Sequence, residues 1–579
     1  MSVRHKVALT DPHGHLLTVT STFTAEPGAT LPDPLIVAMP VWTPGSYLVR
    51  EYSRCVEGLR ASAASSELTA SKLRKNAWSI AHGGASEVTV GYELYCNDLS
   101  VRTNHVDASH VFINGAATFM FASHAPSEGA EVHLDLPEEW KVGSALPRAG
   151  TNPRVLVARD FDHLVDSPIH VGHVERTFEV LGKRHTFAIW GDAPNANWDE
   201  IARDTKAIIE TEAAMLGGLP YDDYTFIWLM SPRARGGLEH ESSTALTMPP
   251  SAFDDRRGYL DAMSLVAHEV LHLWNIKRIR PEGLTPYRYE VENYTKTLWW
   301  FEGATSYFDW RILRMAGLCS VDEYLDHLGE EIGRLEDTPG RMLQSAAEAS
   351  FDAWIKLYRA DENTVNSTVS YYLKGEIVCA LLDVELRTRT GGQRGLDHVL
   401  DELWRAYGRE SRPVPEDGFA AVFERVAGSS MRDVLDPWVE GRRELPIDAV
   451  FAKIGLALRR DTGRRRGALG VRLRSGDGRA IVASVLRGRP AHRAGIDAGD
   501  EIVAIGDRRV EGGKLDSAMA GRLPDTTVDV EVARDGVMRK MSVTLDAPPA
   551  DRVRITLAEG ATPAQRTLLQ GWLRGLPNR

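Results

Sequence analysis

Cysteine is scarce in this chain: four in 579 residues, at Cys55, Cys96, Cys319 and Cys379. They are widely spaced and form no metal-like or redox-like pair, which excludes a disulfide-stapled scaffold, a thiolate zinc cluster and a dithiol redox centre. Buried, reduced thiols are the expectation. The chain also lacks the roughly 18 to 20 uninterrupted apolar residues that a membrane helix needs. Its start, Met1 to Val7, leads into polar, alternating sequence without a signal-peptide core. A cytoplasmic location is therefore expected, unless an export signal has been trimmed. Basic charge is in deficit, 68 Lys and Arg against 80 Asp and Glu, for a net charge of -12. That balance argues against an electrostatic grip on nucleic acid or anionic lipid, and the run Arg464-Arg465-Arg466 reads as solvated linker. No repeat array or low-complexity segment is present.

What the chain does have is His268-Glu269-Val270-Leu271-His272, an H-E-x-x-H sequence inside a segment of helical periodicity. Four residues apart on a helix, the two imidazoles project from one face about 6 Å apart and can reach one metal ion. Glu269 is then placed to take a proton from an attacking water, the chemistry of a zinc hydrolase. Ala262, Val266, Val270 and Leu273 form the apolar stripe of that helix. No Gly or Pro interrupts Tyr259 to Arg280, so Pro281 is the expected stop.

A third ligand is expected from Leu298-Trp299-Trp300-Phe301-Glu302-Gly303, where one carboxylate sits among aromatic residues. Burying it unpaired is costly, which favours Glu302 as a metal ligand; the alternative is a half-exposed carboxylate at a helix start, stabilised by the dipole. Tyr371-Tyr372-Leu373-Lys374-Gly375 opens another helix, and the Tyr372 phenol is a candidate donor to an oxyanion. Upstream, Gly236-Gly237-Leu238-Glu239-His240 lies between strand-like runs Tyr224 to Met230 and Thr244 to Met248. Paired glycines let backbone approach a ligand closely, and Glu239 could hold a substrate ammonium group; a solvated surface loop is the alternative.

Together these motifs resemble the glycyl aminopeptidase family of zinc metallopeptidases, relatives of larger zinc aminopeptidases with thermolysin-like catalytic domains. The resemblance extends to Trp42-Thr43-Pro44-Gly45-Ser46-Tyr47, to Trp274-Asn275-Ile276-Lys277-Arg278 after the metal motif, and to a carboxy-terminal PDZ-like unit. It implies that His268, His272 and Glu302 bind one Zn2+ per chain, that Glu269 is the general base, that Tyr372 supports the oxyanion, and that Glu239 anchors the substrate's free amino terminus, with Gly236 and Gly237 as neighbouring substrate-binding positions. It also implies removal of amino-terminal residues, Gly and Ala preferred. Glu239-His240 stands where the larger enzymes carry Glu-Asn, so His240 is a substrate contact or a structural residue. The donor set of two imidazoles and a carboxylate also accepts cobalt or manganese.

The expected fold is multidomain α+β. Residues 1–175 read as an amino-terminal antiparallel β-sandwich, with Leu17, Val19 and Phe23, and Val88, Val90, Tyr92 and Leu94, on inward faces. Residues 176–458 read as a thermolysin-like mixed and helical catalytic domain. Its first helix carries Trp198, Ile201, Thr205, Ile208 and Ile209 on one face and stops at Gly217-Gly218, before Pro220. Residues 459–546 read as a PDZ-like domain closed by a hairpin at Arg534-Asp535-Gly536-Val537. Its groove near Leu469-Gly470 either takes a carboxy-terminal peptide or belongs to a module that only packs on the enzyme. Residues 547–579 read as a tail with a docking helix from Thr562-Pro563. Peptides with a free amino terminus are the expected partners, with no nucleic acid and no membrane. Two rival functions use the same features: an endopeptidase acting on blocked or internal bonds, and a non-enzymatic PDZ scaffold.

Overall fold

The computed structural model describes residues 1–123, 129–461, 466–474, 478–511, 514–550 and 552–574. Arg464 and Arg465 of the basic run, and the last five residues of the tail, lie outside the described residues. The chain forms two compact units: residues 1–295 with 308–318 and 400–416, and residues 296–307 with 319–399 and 417–579.

In the first unit, alternation of apolar and polar residues makes strands with one buried face. Leu16–Thr24 buries Leu17, Val19, Ser21 and Phe23 and turns the intervening residues outward. At about 1.5–3 kcal/mol per fully buried large apolar side chain, that face is the main stabilising element of the strand. The polar member, Ser21, meets the buried His5 Nδ1 at 2.8 Å, and burial pushes the His5 pKa down to about 3. This strand lies inside an eight-stranded sheet, between Ser2–Asp11 and Glu87–Tyr95. Pairing is antiparallel throughout except where Ser2–Asp11 runs parallel to Ala130–Asp135. Two four-stranded sheets, one containing Leu35–Ala38 and Ala77–Ile80, the other Val111–Ile113 and Ile169–Val171, share its hydrophobic core through Val37, Ile80, Val111 and Ile169.

The same unit continues into a five-stranded sheet, ordered Val174–Val180, Lys183–Trp190, Asp223–Met230, Ser243–Met248 and Gly236–Glu239. The middle three strands are parallel, and Asp223–Met230 is apolar almost throughout, as a strand covered on both faces requires. Gly236–Glu239 is an antiparallel edge strand, with Glu239 opposite Thr244 and Gly236 opposite Thr247. The helix Trp198–Leu216 buries Ile201, Thr205, Ile208 and Ile209, begins at an Asn197 cap and ends at Gly217 with φ 79°.

The second unit is mainly helical and includes the carboxy-terminal module. Its first helical turn, Leu298–Phe301, and the long helix Tyr371–Arg389 meet at paired glycines: a Cβ on Gly303 would lie 2.5 Å from Gly375 Cα. In the module, Thr527–Arg534 and Val537–Thr544 form a hairpin, and Asp535 and Gly536 take φ of 51° and 79°. These are the values that a two-residue Asp-Gly turn demands. The module is attached within this unit. Asn366 Nδ2 donates to Val485 O at 2.9 Å and Asn366 Oδ1 accepts from Arg487 N at 2.8 Å, while Arg472 pairs with Asp337 at 3.4 Å. The tail helix Pro563–Leu573 buries Leu569 and Trp572, and Trp572 Nε1 donates to Tyr307 Oη at 3.0 Å.

Among the described residues no cysteine is disulfide-bonded; Cys96, Cys319 and Cys379 are buried and Cys55 is half-buried. No described helix is long and apolar enough to cross a membrane.

Candidate active site

The metal-motif helix spans Arg256–Leu271, and Asp255 caps it by accepting from Gly258 N. Ala262, Val266 and Val270 are buried along one side, as the spacing predicts. The helix stops at His272, nine residues before Pro281, although no helix breaker stands there. The reason lies in the turn that follows. His272 Nδ1 engages Asn275 O at 2.8 Å, Lys277 N donates back to His272 O at 3.0 Å, and Ile276 adopts φ 115°. A β-branched residue in that region is strained by about 1–3 kcal/mol, the kind of local cost found at functional sites. The strained turn holds the Asn275 carbonyl where it fixes one imidazole.

The second imidazole is fixed by a carboxylate, with His268 Nδ1 3.3 Å from Asp309 Oδ2. With each Nδ1 facing an acceptor, the ring donates from Nδ1 and Nε2 carries the lone pair, which is the ligating tautomer. The two ring centroids are 4.7 Å apart. This pair fits a transition metal of the zinc kind.

Glu269 projects from the same helix toward the edge strand. A Cβ on Gly237 would collide with the Glu269 carboxylate, so the second glycine of the pair is required by the approach of helix to strand. Glu239, at the end of that strand, is 4% exposed. One carboxylate oxygen each from Glu239 and Glu269 and a ring nitrogen of His272 lie within 4.8 Å of one another. Among the described residues the Glu239 side chain has no hydrogen-bond or ion-pair partner. Gly45, with φ 84°, brings the turn after Trp42 against it: a Cβ there would lie 2.6 Å from both Glu239 oxygens. Trp42 secures this turn by donating from Nε1 to Arg288 O at 3.0 Å.

His240 faces away from this group, toward Asp166 at 3.3 Å. Asp166 also pairs with the buried Lys277 and accepts from Glu241 N at 2.8 Å. Burial opposes ionisation of Asp166, but Lys277 and His240 overcome it and hold the carboxyl well below the usual range. Burial likewise opposes charge on Lys277, and Asp166 reverses that effect and raises its pKa. A charged, buried network thus braces the backbone behind Glu239.

In the second unit, Glu302 ends the turn Leu298–Phe301 and is 2% exposed. Trp299, Trp300 and Phe301 all pack on Phe419, with centroids 5.8, 5.5 and 6.0 Å apart. Tyr372 stands in the first turn of its helix, capped by Ser370, and its Oη is 3.4 Å from Tyr358 Oη. Burial, with Glu302 and Tyr358 adding to it, pushes the Tyr372 pKa well above its ordinary value. The phenol is a proton-bearing donor at neutral pH.

Sequence reasoning missed Asp309, Asp166, the Gly45 approach and Glu212. Burial drives the Glu212 pKa well above the carboxylate range, with His268 opposing. None has a local signature, because each acts through a partner distant in sequence.

Residues 4–173 match the family model described as the Peptidase M61 N-terminal domain, residues 261–378 match M61 glycyl aminopeptidase, and residues 467–545 match a PDZ domain. No curated protein matches the chain. A crystal structure of an aminopeptidase N family protein from Idiomarina loihiensis superposes with a TM-score of 0.92 at 29% identity, covering 99% of this chain and 100% of that one. An M1 zinc metallopeptidase from Deinococcus radiodurans, bound to a Tyr-Ser-Ala substrate, gives a TM-score of 0.48 at 16% identity over 77% of this chain and 95% of that one.

Proposed function

We propose, for a chain that carries the domains of the M61 glycyl aminopeptidase family and is by that kinship a metallo-aminopeptidase, that it removes single amino-terminal residues from peptides, with Gly and Ala preferred. The observation that carries this reading is Glu239. A buried carboxylate with no hydrogen-bond or ion-pair partner among the described residues, a few ångströms from Glu269 and His272, is costly unless a cation completes it. A peptide's free ammonium is that cation. Held there, the peptide presents its first carbonyl to Glu269 and leaves no room for further residues on the amino-terminal side.

His268, His272 and Glu302 are the proposed ligands of one zinc ion. When bound, zinc supplies Lewis acidity that polarises a carbonyl and lowers the pKa of water to about 7. Glu269 takes the proton of the attacking water and passes it to the leaving amine. Tyr372 donates its phenolic proton in a hydrogen bond to the developing oxyanion. Asp309 and the Asn275 carbonyl keep the two imidazoles in the ligating tautomer. Gly236 and Gly237 let the substrate backbone approach the strand, and His240 braces the strand through Asp166. The proposed domains are residues 1–175, 176–458, 459–546 and 547–579, and the PDZ groove is proposed to take a carboxy-terminal peptide.

The test is hydrolysis of peptides beginning with Gly, Ala, Leu, Arg or Glu, each with a free and with an acetylated amino terminus. Cleavage of the free series alone, strongest for Gly and Ala, is expected. Equal cleavage of the acetylated series would point to an endopeptidase.

A further inference from the structure

The first unit carries a guanidinium with no carboxylate among the described residues within ion-pair distance, at the end of the edge strand away from Glu239. Arg102 Nη2 donates to Gly237 O at 3.1 Å, and Nη1 lies 3.5 Å from where a Cβ on Gly236 would stand. Gly236 has φ 151°, so absence of a side chain there serves both the backbone and the arginine. Among the described residues no carboxylate lies within ion-pair distance of Arg102, and its buried Nε has no hydrogen-bond acceptor. Its backbone is held on both sides: Tyr52 Oη donates to Arg102 O at 2.8 Å, and Arg102 N donates to Ser100 Oγ at 3.0 Å. The head group is half-buried and pre-positioned.

Three chemical groups are therefore ordered along one strand. Glu239 stands at one end, the Glu269 carboxylate presses on Gly237 from the same face of the strand, and the Arg102 guanidinium lies at the edge, on Gly237 O and on the Gly236 side. Along the backbone, two to three steps of about 3.4 Å, about 7–10 Å, lead from Glu239 to Gly237, whose carbonyl Arg102 holds, and to Gly236, which its Nη1 faces. That matches the distance from ammonium to carboxylate in an extended peptide of two to three residues, at about 3.3–3.6 Å per residue. We infer that Arg102 binds the carboxy-terminal carboxylate of the substrate, so that the enzyme's substrates are dipeptides and tripeptides with both ends free. The planar fork of an arginine suits a carboxylate, and a site with a carboxylate at one end and a guanidinium at the other selects a zwitterion. Longer chains would have to pass the guanidinium that occupies the edge carbonyl of Gly237. The inference rests on Glu239 binding the amino terminus.

The experiment uses the full-length, zinc-loaded enzyme with Ala-Ala and Ala-Ala-Ala, their carboxy-terminal amides, an Ala pentapeptide and the amino-acetylated forms. Wild type should prefer the free acids over the amides by about 10- to 100-fold in kcat/KM, the worth of a charge-assisted pair, and should handle the pentapeptide poorly. Arg102→Ala should bring the acid-to-amide ratio close to one while amide hydrolysis changes little; Arg102→Lys should restore part of the preference. Equal wild-type rates on acid and amide would overturn the inference yet leave the aminopeptidase reading intact if acetylated peptides stay uncleaved. Equal loss of both substrates in Arg102→Ala would also overturn it, by making Arg102 a prop for Gly237. Cleavage of acetylated peptides, or of none, would overturn both.

Discussion

Replacing Glu239 with Gln keeps its volume and removes its charge, and the structure sets the size of the effect. The carboxylate is 4% exposed, so solvent screening is slight, and among the described residues no cation lies within ion-pair distance of it, the buried Lys277 acting on it from further away. A hydrogen bond between charged partners contributes about 1.5–3 kcal/mol, which at 1.4 kcal/mol per decade is a loss of about 10- to 150-fold in kcat/KM on free peptides. Acetylated peptides have no ammonium, so their hydrolysis should stay within about twofold of whatever the wild type shows. The assay is steady-state hydrolysis of Ala-Ala-Ala and its acetylated form by both proteins, with zinc content measured to show that the metal site is unaffected. Glu239→Gln retaining wild-type kcat/KM on the free peptide would falsify the amine-anchor argument.

Other perturbations follow from the same geometry. Glu269→Ala should keep zinc but lose nearly all turnover, as metal analysis beside a rate assay will show. Tyr372→Phe should lower kcat by about 10²- to 10³-fold if the phenol is an oxyanion donor; unchanged kcat removes it from the mechanism. Asp309→Ala should weaken zinc binding by about 10- to 100-fold in a competition titration with a chelator, and an unchanged affinity would show that Asp309 does not orient His268. Burial holds His5 near pKa 3 and His170 well below 6.5, so they are neutral in the folded protein. Their contribution is complete above about pH 6.5 and declines as pH falls, because the unfolded chain gains protons first. Each costs about 1.4 kcal/mol per pH unit below that point, so the urea midpoint should drop between pH 7 and pH 5.

The metal-motif helix and the Asp-Gly hairpin were legible because each depends on neighbours within a few residues. Periodicity placed Ala262, Val266 and Val270 on the buried side, and Asp535-Gly536 marked a turn that few other dipeptides make. The helix end was misjudged for a physical reason: the stop at His272 comes from the Asn275 carbonyl and the strained Ile276, and neither leaves a Gly or Pro in the sequence. Gly237 signalled close approach without revealing what approached, and the approach at Gly45 left no signal. Only the fold shows that Glu269 presses on one and Glu239 on the other. Arg102 left no signal in the sequence, because what marks it is that no carboxylate among the described residues lies within ion-pair distance.

The most direct test of the account is a zinc titration of metal-depleted protein, followed by hydrolysis of Ala-Ala-Ala in wild type and Glu302→Ala. The account predicts that wild-type activity is absent without metal and rises to a plateau at one zinc per chain, while Glu302→Ala needs far more zinc and stays largely inactive. Full activity in the metal-depleted protein, or a Glu302→Ala titration that overlays the wild type, would contradict it.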